Sequence, residues 1–381
     1  MSSRRSTGKN VFEQSFDGLY ELYKEGHRLV YSFSAGKDSG ICLELGILAA
    51  TAAGKLPVDV VMRDEEIMFP GTFEYAERVA ARPEVRFHWL IANQPIINVF
   101  NRSNPYWWTF DPLLQPEQWV RQPPAIAYKI AQQNIEYMTI PERFPPAEGK
   151  RLFAVLGLRA TESRARLMSV FAAGGHITKP NRFGVSNMRA IYDWKDDDVW
   201  LAFKQYKWDY NEAYDVMHKM GVSKNRLRIA PPTMSAASVE SLGMASRAWP
   251  RWFDRVAKRL QCVRTAAQFG KRSVQPIRGL GETWEQVFKR ESLGPKAPQW
   301  IRERAEWAMN RVTRYHTNHS AEPLPDSVEC RMCEGMTRSW KNLALQLYNG
   351  DPFAQKMVYL KPVEPEFFRE GAGTWGGKPT F

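Results

Sequence analysis

The stretch Tyr31-Ser32-Phe33-Ser34-Ala35-Gly36-Lys37-Asp38-Ser39-Gly40 decides the fold. The apolar residues 29–33 predict a buried strand, and the apolar run at 41–50 predicts a buried helix. Between them, Asp38 and Ser39 are typical of a helix start. A helix N-terminus offers unpaired N–H groups and a partial positive charge, small residues let a phosphate approach the backbone, and Lys37 adds a cation. The stretch therefore predicts a phosphate-binding turn in an α/β protein.

The turn is not a Walker A loop, which requires Gly-x-x-x-x-Gly-Lys-Ser/Thr. Here Tyr31 stands at the first glycine position, and Asp38 follows the lysine. The form Ser34-Ala35-Gly36-Lys37-Asp38-Ser39 instead resembles the PP-loop, Ser-Gly-Gly-Lys-Asp-Ser. That motif is the signature of ATP pyrophosphatases and of phosphoadenosine phosphosulfate (PAPS) reductases. The alternative interpretation is a Gly-Ser turn without chemical meaning, but strand, loop and helix all agree with the motif.

Composition predicts a globular protein of two domains, because 381 residues can bury a large core. No apolar run reaches transmembrane length, so no membrane partner is expected. Residues 1–10 are polar and basic, and they predict a short disordered tail rather than a signal peptide. Four cysteines without a secretory context predict a cytoplasmic location.

The net charge of +12 is concentrated in one segment. Residues 221–320 hold 19 Lys and Arg against 7 Asp and Glu, so the rest of the chain is about neutral. A concentrated basic segment predicts a nucleic acid or another polyanion as partner, or an anionic substrate. The alternative is a solvated helical face. No helix-turn-helix or other reading motif stands out, so sequence-specific binding is not predicted.

Charged side chains follow two further predicted strands. Strand 58–62 is followed by Asp64 and Glu66, which could accept a ribose hydroxyl, help to hold a metal, or simply form a solvated turn. Strand 152–158 is followed by Arg159 and Arg166, which could bind phosphate or sulfate in bidentate fashion. By contrast, the acids at 196–198 are interpreted first as caps of a helix.

The order of the predicted elements gives the domains. Strands alternate with helices up to residue 225, and the later segments 239–260 and 300–315 are helical in pattern. We expect a tail at 1–10, a nucleotide-binding domain at 11–225 and a basic helical region at 226–381. The aromatic and proline-rich segment 104–124 is expected to form no regular element. It could be a lid that stacks on a base or a hydrophobic plug between domains.

Three motifs in order resemble one family. They are residues 34–39, Gly157-Leu158-Arg159-x-x-Glu162-Ser163-x-x-Arg166 and Asp193-Trp194-x-x-x-Asp198-Val199-Trp200. Together they resemble the PAPS reductase family of the adenine nucleotide α-hydrolase-like superfamily. Residues 210–215, Arg338-Ser339-Trp340 and Asn349-Gly350-Asp351 are similar to the longer PAPS-reductase-like proteins of bacteria, phages and prophages, the group containing the immunoglobulin-binding regulator A protein.

The resemblance implies a doubly wound, mostly parallel α/β sheet that binds an adenine nucleotide, either ATP or PAPS, with Mg²⁺. It also implies catalytic roles for Lys37, Asp38 and Arg159 and nucleotide contacts at further positions. The nucleotide contacts it implies are Ser34, Ala35, Gly36, Lys37, Asp38, Ser39, Asp64, Glu66, Gly157, Arg159 and Arg166.

Two departures from the family concern its cysteines. Reductases use a nucleophilic cysteine in a Glu-Cys-Gly-Leu-His segment, and Glu329-Cys330-Arg331-Met332-Cys333 shares only Glu-Cys. With Cys42 inside the first helix and Cys262 isolated, the chain lacks four cluster cysteines, so no iron–sulfur cluster is expected.

A cysteine–histidine cluster lies near the C-terminus. His316-x-x-His319 is followed after ten residues by Cys330-x-x-Cys333, which has the ligand types and number for tetrahedral Zn²⁺. The pair Cys330 and Cys333 could instead be redox-active and supply the catalytic thiolate. A third interpretation leaves the cysteines as ordinary packing residues.

Two classes of function remain open. As an enzyme, the protein would cleave ATP between the α and β phosphates and transfer the adenylyl group, or would reduce a sulfated nucleotide with a thiolate. As a regulator, it would sense a nucleotide and bind nucleic acid through its basic region. The acceptor, and whether a partner protein is needed, are left open.

Overall fold

The computed structural model describes residues 8–131, 135–173, 175–230, 232 and 239–369. Most of the expected tail at 1–10 lies outside these residues. The chain divides into two compact units, which we call the first unit (residues 1–94 and 109–231) and the second unit (residues 95–108 and 232–381). The expected domain boundary at 225 thus lies shortly before the end of the first unit, and residues 95–108 belong to the second.

The strands form two sheets. Their bounds are β1 Arg28–Phe33, β2 Val58–Arg63, β3 Val85–Ile91, β4 Pro95–Ile97, β5 Tyr106–Trp108, β6 Tyr128–Lys129, β7 Leu152–Val155 and β8 Ser186–Met188. The first unit holds a six-stranded sheet in the order β6-β3-β2-β1-β7-β8, and every neighbouring pair is parallel. In the second unit β4 and β5 pair antiparallel. The predicted α/β doubly wound fold is confirmed.

Helices connect these strands and form most of the second unit. In the first unit they are α1 Val11–Lys24, α2 Lys37–Ala52, α3 Thr72–Ala80, α4 Ile135–Met138, α5 Arg164–Ala173, α6 Asp196–Tyr206 and α7 Ala213–Lys219. In the second they are α8 Val239–Ala248, α9 Pro250–Arg259, α10 Val263–Phe269, α11 Trp284–Phe288, α12 Gln299–Thr317 and α13 Trp340–Leu347. Shorter turns of 3₁₀ helix lie at Pro116–Gln118, Ala160–Glu162, Lys224–Arg226, Gly270–Ser273 and Pro365–Phe368, and a π-helical turn spans Lys289–Leu293.

Strand β1 is mostly buried because both faces of the sheet are covered. Leu29 and Tyr31 of β1 lie in a large core on one face, whereas Val30 lies in a smaller core with Val61 and Leu90. This alternation is the two-residue period of a strand, and burial on both sides is typical of parallel sheets. Helix α2 is buried along most of its length for the same reason.

The strand order reverses between β1 and β7. From β1 the sheet grows through β2 and β3 on one side, and through β7 and β8 on the other. Ligands of open parallel sheets bind at such a reversal, outside the carboxyl ends of the strands. Gly157, just after β7, approaches so closely that a Cβ there would stand 2.7 Å from the Asp38 carbonyl carbon. The loop after β7 therefore packs directly on the turn after β1.

The aromatic segment differs from expectation. Tyr106–Trp108 forms a regular strand, although the density of aromatic and proline residues argued against one. Tyr106 and Trp108 are buried in the second unit with Trp300 and Phe368, so burial and pairing with β4 outweigh the local signal. Whether residues 109–124 act as a lid stays a prediction.

None of the helices in the described part of the chain combines the length and apolar character that a membrane span requires.

A glycine inside α2 tests the packing of this helix on the sheet. A Cβ at Gly46 would stand 2.2 Å from the Tyr31 ring. Alanine favours a helix interior over glycine by about 1 kcal/mol, but overpacking a filled core costs about 1–3 kcal/mol. We expect Gly46→Ala to lower the free energy of unfolding in urea. The control is Gly18→Ala in α1, where the new methyl meets only the flexible end of Met188 at 3.1 Å and should be tolerated. If Gly46→Ala raised the free energy of unfolding, α2 would not pack against Tyr31 as described.

Candidate functional site

Residues 34–39, which we call the phosphate turn, join β1 to α2. Gly36 is the N-cap of α2, so no side chain caps the helix from that position. Ser39 closes the turn from inside, because its Oγ accepts the Ser34 N–H at 3.2 Å and donates to the Gly36 carbonyl at 3.0 Å. The result is a compact turn at a helix N-terminus, the backbone arrangement that suits an anion.

Two side chains, one in α7 and one just before it, contact the backbone of the turn. The Tyr214 hydroxyl accepts the Lys37 N–H at 2.9 Å, and Asn211 Nδ2 donates to the Ala35 carbonyl at 3.0 Å. Burial raises the pKa of Tyr214 above its ordinary value, so the phenol stays protonated. Sequence reasoning did not assign these two residues to the site, although the motif 210–215 contained both.

Ala35 occupies the position of the usual glycine and adopts a left-handed backbone with φ 54°. An alanine in this region is strained by about 1–2 kcal/mol relative to the right-handed conformation.

Four charged groups form a network at the turn. Lys37 Nζ lies 3.2 Å from Asp38 Oδ2 and 3.5 Å from Asp196 Oδ1. Arg159 places Nε 2.6 Å from Asp38 Oδ1 and Nη2 2.9 Å from Asp196 Oδ1. Both cations are buried, with 4% and 2% of their side chains exposed. The network therefore presents two desolvated cations whose charge is balanced by two carboxylates.

Asp196 is a site residue that sequence reasoning interpreted as a helix cap. It begins α6, but its carboxylate meets Lys37 and Arg159, and the capping role belongs to Asp198, which accepts the Lys195 N–H at 2.7 Å. Asp196 and Asp198 are alike in local sequence, and only contacts with distant residues show that Asp196 belongs to the network. The third motif fixes Asp198 but leaves position 196 open, so it carried no signal for Asp196.

Further arginines surround the network. Arg166 pairs with Glu162, and Arg228 donates to the Glu162 carbonyl at 3.4 Å. Burial, together with repulsion from Arg228 and Arg159, lowers the pKa of Arg166. The charges of Arg166, Arg228 and Arg159 therefore act on one another. Arg228 was not among the predicted site residues.

The predicted acids after β2 are deeply buried. Asp64 accepts the Trp89 indole N–H at 2.8 Å and the Glu66 N–H at 2.9 Å, and it pairs with Arg121. Burial raises the pKa of Asp64, although Arg121 and these hydrogen bonds oppose the shift. The Arg121 guanidinium stacks 3.2 Å from the centre of the Phe73 ring.

Glu66 anchors the segment that follows β5. Its carboxylate accepts the backbone N–H of Phe110 at 2.7 Å and that of Val120 at 3.0 Å. The structure therefore gives Asp64 and Glu66 contacts with residues 109–121. A nucleotide contact for either acid stays a prediction.

A cavity of about 270 Å³ opens beside Ser34. Phe33, Met68 and Ile229 supply apolar walls, and the charged pair Arg63 and Glu65 lies at one side. A mostly apolar cavity with a few polar groups is typical of a small-molecule site.

The cysteine–histidine cluster is brought together only in part. Single ligand atoms of His316, Cys330 and Cys333 all lie within 4.8 Å of one another. His319 lies outside this group because α12 ends at Thr317; its exposed ring packs on Tyr315, 4.7 Å away between ring centres.

The two clustered thiols differ in acidity. Burial raises the pKa of Cys333 to about 11, and its hydrogen bond to Cys330 adds to the rise. Burial also acts on Cys330, but hydrogen bonds from the Met332 and Cys333 backbone and the charge of Arg338 lower its pKa overall. Cys42 is a buried residue of α2, as its pattern predicted.

A scan against models of protein families finds no match. The Escherichia coli (strain K12) protein named "Uncharacterized protein YbdN" is 28% identical in an alignment of 242 positions that covers 58% of this chain and 59% of that protein. The chain thus spans less than two thirds of the length of this relative.

Solved structures give weaker likenesses. FMN adenylyltransferase from Candida glabrata has a TM-score of 0.33 and 12% identity, covering 56% of this chain and 62% of that one. PAPS reductase from Candida auris, solved as a phosphate complex, has a TM-score of 0.29 and 14% identity, covering 57% of this chain and 94% of that one. Likenesses of this size do not identify a function.

The strain at Ala35 can be measured by comparison with a second buried alanine. Ala35 and Ala49 of α2 both lie in the large core with no exposed surface, so each loses a similar methyl contact on change to glycine. Ala35→Gly also relieves a left-handed alanine, and Ala49→Gly does not. Because glycine in a helix interior also costs about 1 kcal/mol relative to alanine, we expect Ala35→Gly to leave the protein about 2–3 kcal/mol more stable than Ala49→Gly in urea unfolding. A difference of about 1 kcal/mol or less would show that Ala35 carries no strain.

The buried pair of Asp64 and Arg121 predicts a pH-dependent loss of stability. Arg121→Met leaves an uncompensated buried carboxylate, which costs about 3–5 kcal/mol of unfolding free energy. A raised carboxyl pKa contributes stability at low pH that is lost as the pH rises through that pKa, so the deficit should grow from about pH 5 to about pH 8.

Urea unfolding at both pH values measures this deficit. Adding Asp64→Asn to Arg121→Met should recover part of the loss, because the unpaired charge is gone. The control is Arg78→Met, whose exposed pair with Asp209 should contribute about 0–1 kcal/mol. A deficit that is equal for both arginines, or that shrinks as the pH rises, would contradict this account.

Proposed function

We propose that the first unit binds ATP at the phosphate turn and cleaves it between the α and β phosphates, transferring the adenylyl group to an acceptor. The observation that carries this proposal is the buried network of Lys37, Arg159, Asp38 and Asp196 at the start of α2. It combines a helix N-terminus, two desolvated cations and two carboxylates at the strand reversal of a parallel sheet.

The cations support charge stabilisation at the leaving phosphates. Negative charge grows on pyrophosphate as the bond breaks, and preorganised N–H groups and cations are most effective where water is excluded. Lys37 and Arg159 meet this requirement, because both side chains are almost fully buried. In the nucleotide complex, phosphate oxygens would take over part of their pairing with Asp38 and Asp196.

The carboxylates fit a role in holding Mg²⁺. Asp38 and Asp196 share both cations, and carboxylate oxygens are the ligands that Mg²⁺ prefers together with substrate phosphates. When bound, the ion would neutralise charge on the phosphate oxygens.

The cavity beside Ser34 supports a nucleoside position. It adjoins the turn, and its walls of Phe33, Met68 and Ile229 suit the flat apolar face of a base. Arg63 and Glu65 offer polar groups for orientation. The base and the phosphates of one ATP would thus lie at neighbouring carboxyl ends of strands.

The proposed step is a displacement at the α phosphorus. A lone pair of the acceptor forms the new bond to phosphorus while the bond to the bridging oxygen breaks. Pyrophosphate leaves with that electron pair, and the acceptor loses its proton to solvent or to a nearby base. Lys37 and Arg159 act by binding and orienting the phosphates rather than by forming a covalent intermediate.

Reduction of PAPS is the less favoured chemistry. It requires a nucleophilic thiol, and Cys42 in the first unit is buried within α2, where burial raises its pKa. Cys330 departs from the reductase segment in sequence, and Cys333 is fully buried. ATP therefore fits the described residues better than PAPS does.

A lysine pair tests the proposal. Lys37→Ala should weaken ATP binding at least tenfold in titration calorimetry, equivalent to about 1.4 kcal/mol, because a desolvated cation is lost from the phosphates. Lys55→Ala is the matched control, since Lys55 is an exposed lysine of the loop after α2 and should bind ATP like the wild type.

The same proteins are incubated with Mg²⁺-ATP, and separately with PAPS, thioredoxin and a thiol reductant. AMP and pyrophosphate formation that is lost in Lys37→Ala supports the proposal. Sulfite from PAPS, or ATP binding that is unchanged in Lys37→Ala, would overturn it.

A second candidate is a regulator that binds nucleic acid. Helix α9 presents exposed Arg251, Arg255 and Lys258 at spacings of four and three residues, which place them on one helical face. Such a stripe suits the phosphates of a nucleic acid. ATP binding without turnover, together with salt-dependent DNA or RNA binding, would favour this candidate.

A further inference from the structure

Three ligand-type side chains, from the end of α12 and from the loop that follows it, meet in the second unit. His316 lies in the last turn of this helix, whereas Cys330 and Cys333 lie in the loop before α13. One atom from each lies within 4.8 Å of the other two. Two sulfurs and one imidazole nitrogen form a ligand set that favours Zn²⁺ among the common biological cations.

The imidazole of His316 is oriented for a metal. Nε2 lies 2.9 Å from the Glu322 carbonyl oxygen, which can only accept, so this nitrogen carries the proton. Nδ1 is then the nitrogen with the free lone pair, and it lies 3.3 Å from Cys333 Sγ. A metal-binding histidine is held in this way, with its second nitrogen donating to a carbonyl or carboxylate.

The loop around Cys330 is fixed by backbone contacts. The Cys330 N–H donates to the Arg338 carbonyl at 2.9 Å, and the Met336 N–H donates to the Cys333 carbonyl at 3.3 Å. Gly335, at φ 75°, turns the chain back so that the loop closes on itself. The loop therefore holds both sulfurs in one short segment, facing the end of α12.

Burial favours a metal centre over a redox pair. Cys333 has no exposed surface and His316 is 2% exposed, so both face the interior, while Cys330 is partly exposed. A thiol that exchanges disulfides needs access to its partner's sulfur, whereas a structural metal is enclosed by its ligands.

We propose that His316, Cys330 and Cys333 bind one Zn²⁺ that joins the end of α12 to the loop before α13. Within the described part of the chain, no fourth histidine, cysteine or carboxylate joins the group, so the fourth position is assigned to water. His319, which the sequence spacing predicted as a ligand, is excluded from the site. This inference concerns the second unit and does not depend on the proposed function of the first.

The test uses the full chain, purified without a metal-affinity step. Mass spectrometry of the metal content should find about one zinc per chain. After chelation and addition of Co²⁺, a sulfur-to-cobalt charge-transfer band and visible bands of a tetrahedral ion should appear. Far-ultraviolet circular dichroism of each variant reports folding.

Matched variants locate the ligands. His316→Ala and Cys333→Ser should lose the zinc and the cobalt spectrum. His319→Ala should keep both, because its ring lies outside the group and packs on Tyr315. Cys262→Ser should also keep both, since this exposed thiol of the second unit is not part of the cluster.

Three outcomes would overturn the proposal. A wild-type chain that contains no zinc and takes up neither Zn²⁺ nor Co²⁺ has no such site. Loss of zinc from a folded His319→Ala variant would show that His319 is a ligand, as its spacing in the sequence predicted. A reversible Cys330–Cys333 disulfide in a metal-free wild-type chain would establish the redox pair instead.

Discussion

The ion pair between Arg159 and Asp38 joins the two loops at which the sheet reverses direction. Its Nε–Oδ1 distance is 2.6 Å, and the Arg159 side chain is 2% exposed. Removing one partner of such a buried pair leaves a charge without compensation, which costs about 3–5 kcal/mol. Gly157 makes the pair feasible, because only a residue without a side chain lets the two backbones approach this closely. The position of Lys37 and of the N-terminus of α2 follows from this constraint.

The sheet and the phosphate turn could be predicted from sequence because their signals are local. The residues of β1 alternate between two buried faces, and α2 begins at Lys37 within the quoted stretch. The sequence also placed Arg159 at the end of a predicted strand, and the structure brings it to Asp38. Short-range periodicity and the residues typical of a helix start were thus enough to predict most of the first unit.

What the sequence did not reveal depends on contacts between distant segments. Asp196 has the same local context as the neighbouring capping acids, and only the fold directs it to Arg159. Glu66 was predicted as a nucleotide contact because it follows β2. Its carboxylate instead accepts hydrogen bonds from the backbone N–H groups of residues 110 and 120. His319 has the spacing of a ligand, but the end of α12 separates it from the cysteines. Spacing therefore gave candidates, and tertiary contacts selected among them.

The most direct measurement of the central claim is a crystal structure with an ATP analogue whose α–β bridge is a methylene group. The account predicts phosphate oxygens on the N–H groups of the phosphate turn and within hydrogen-bonding distance of Lys37 and Arg159, with the base in the cavity lined by Phe33 and Met68. A nucleotide ordered elsewhere on the chain, with the Lys37–Asp38–Arg159 network unchanged, would contradict the account.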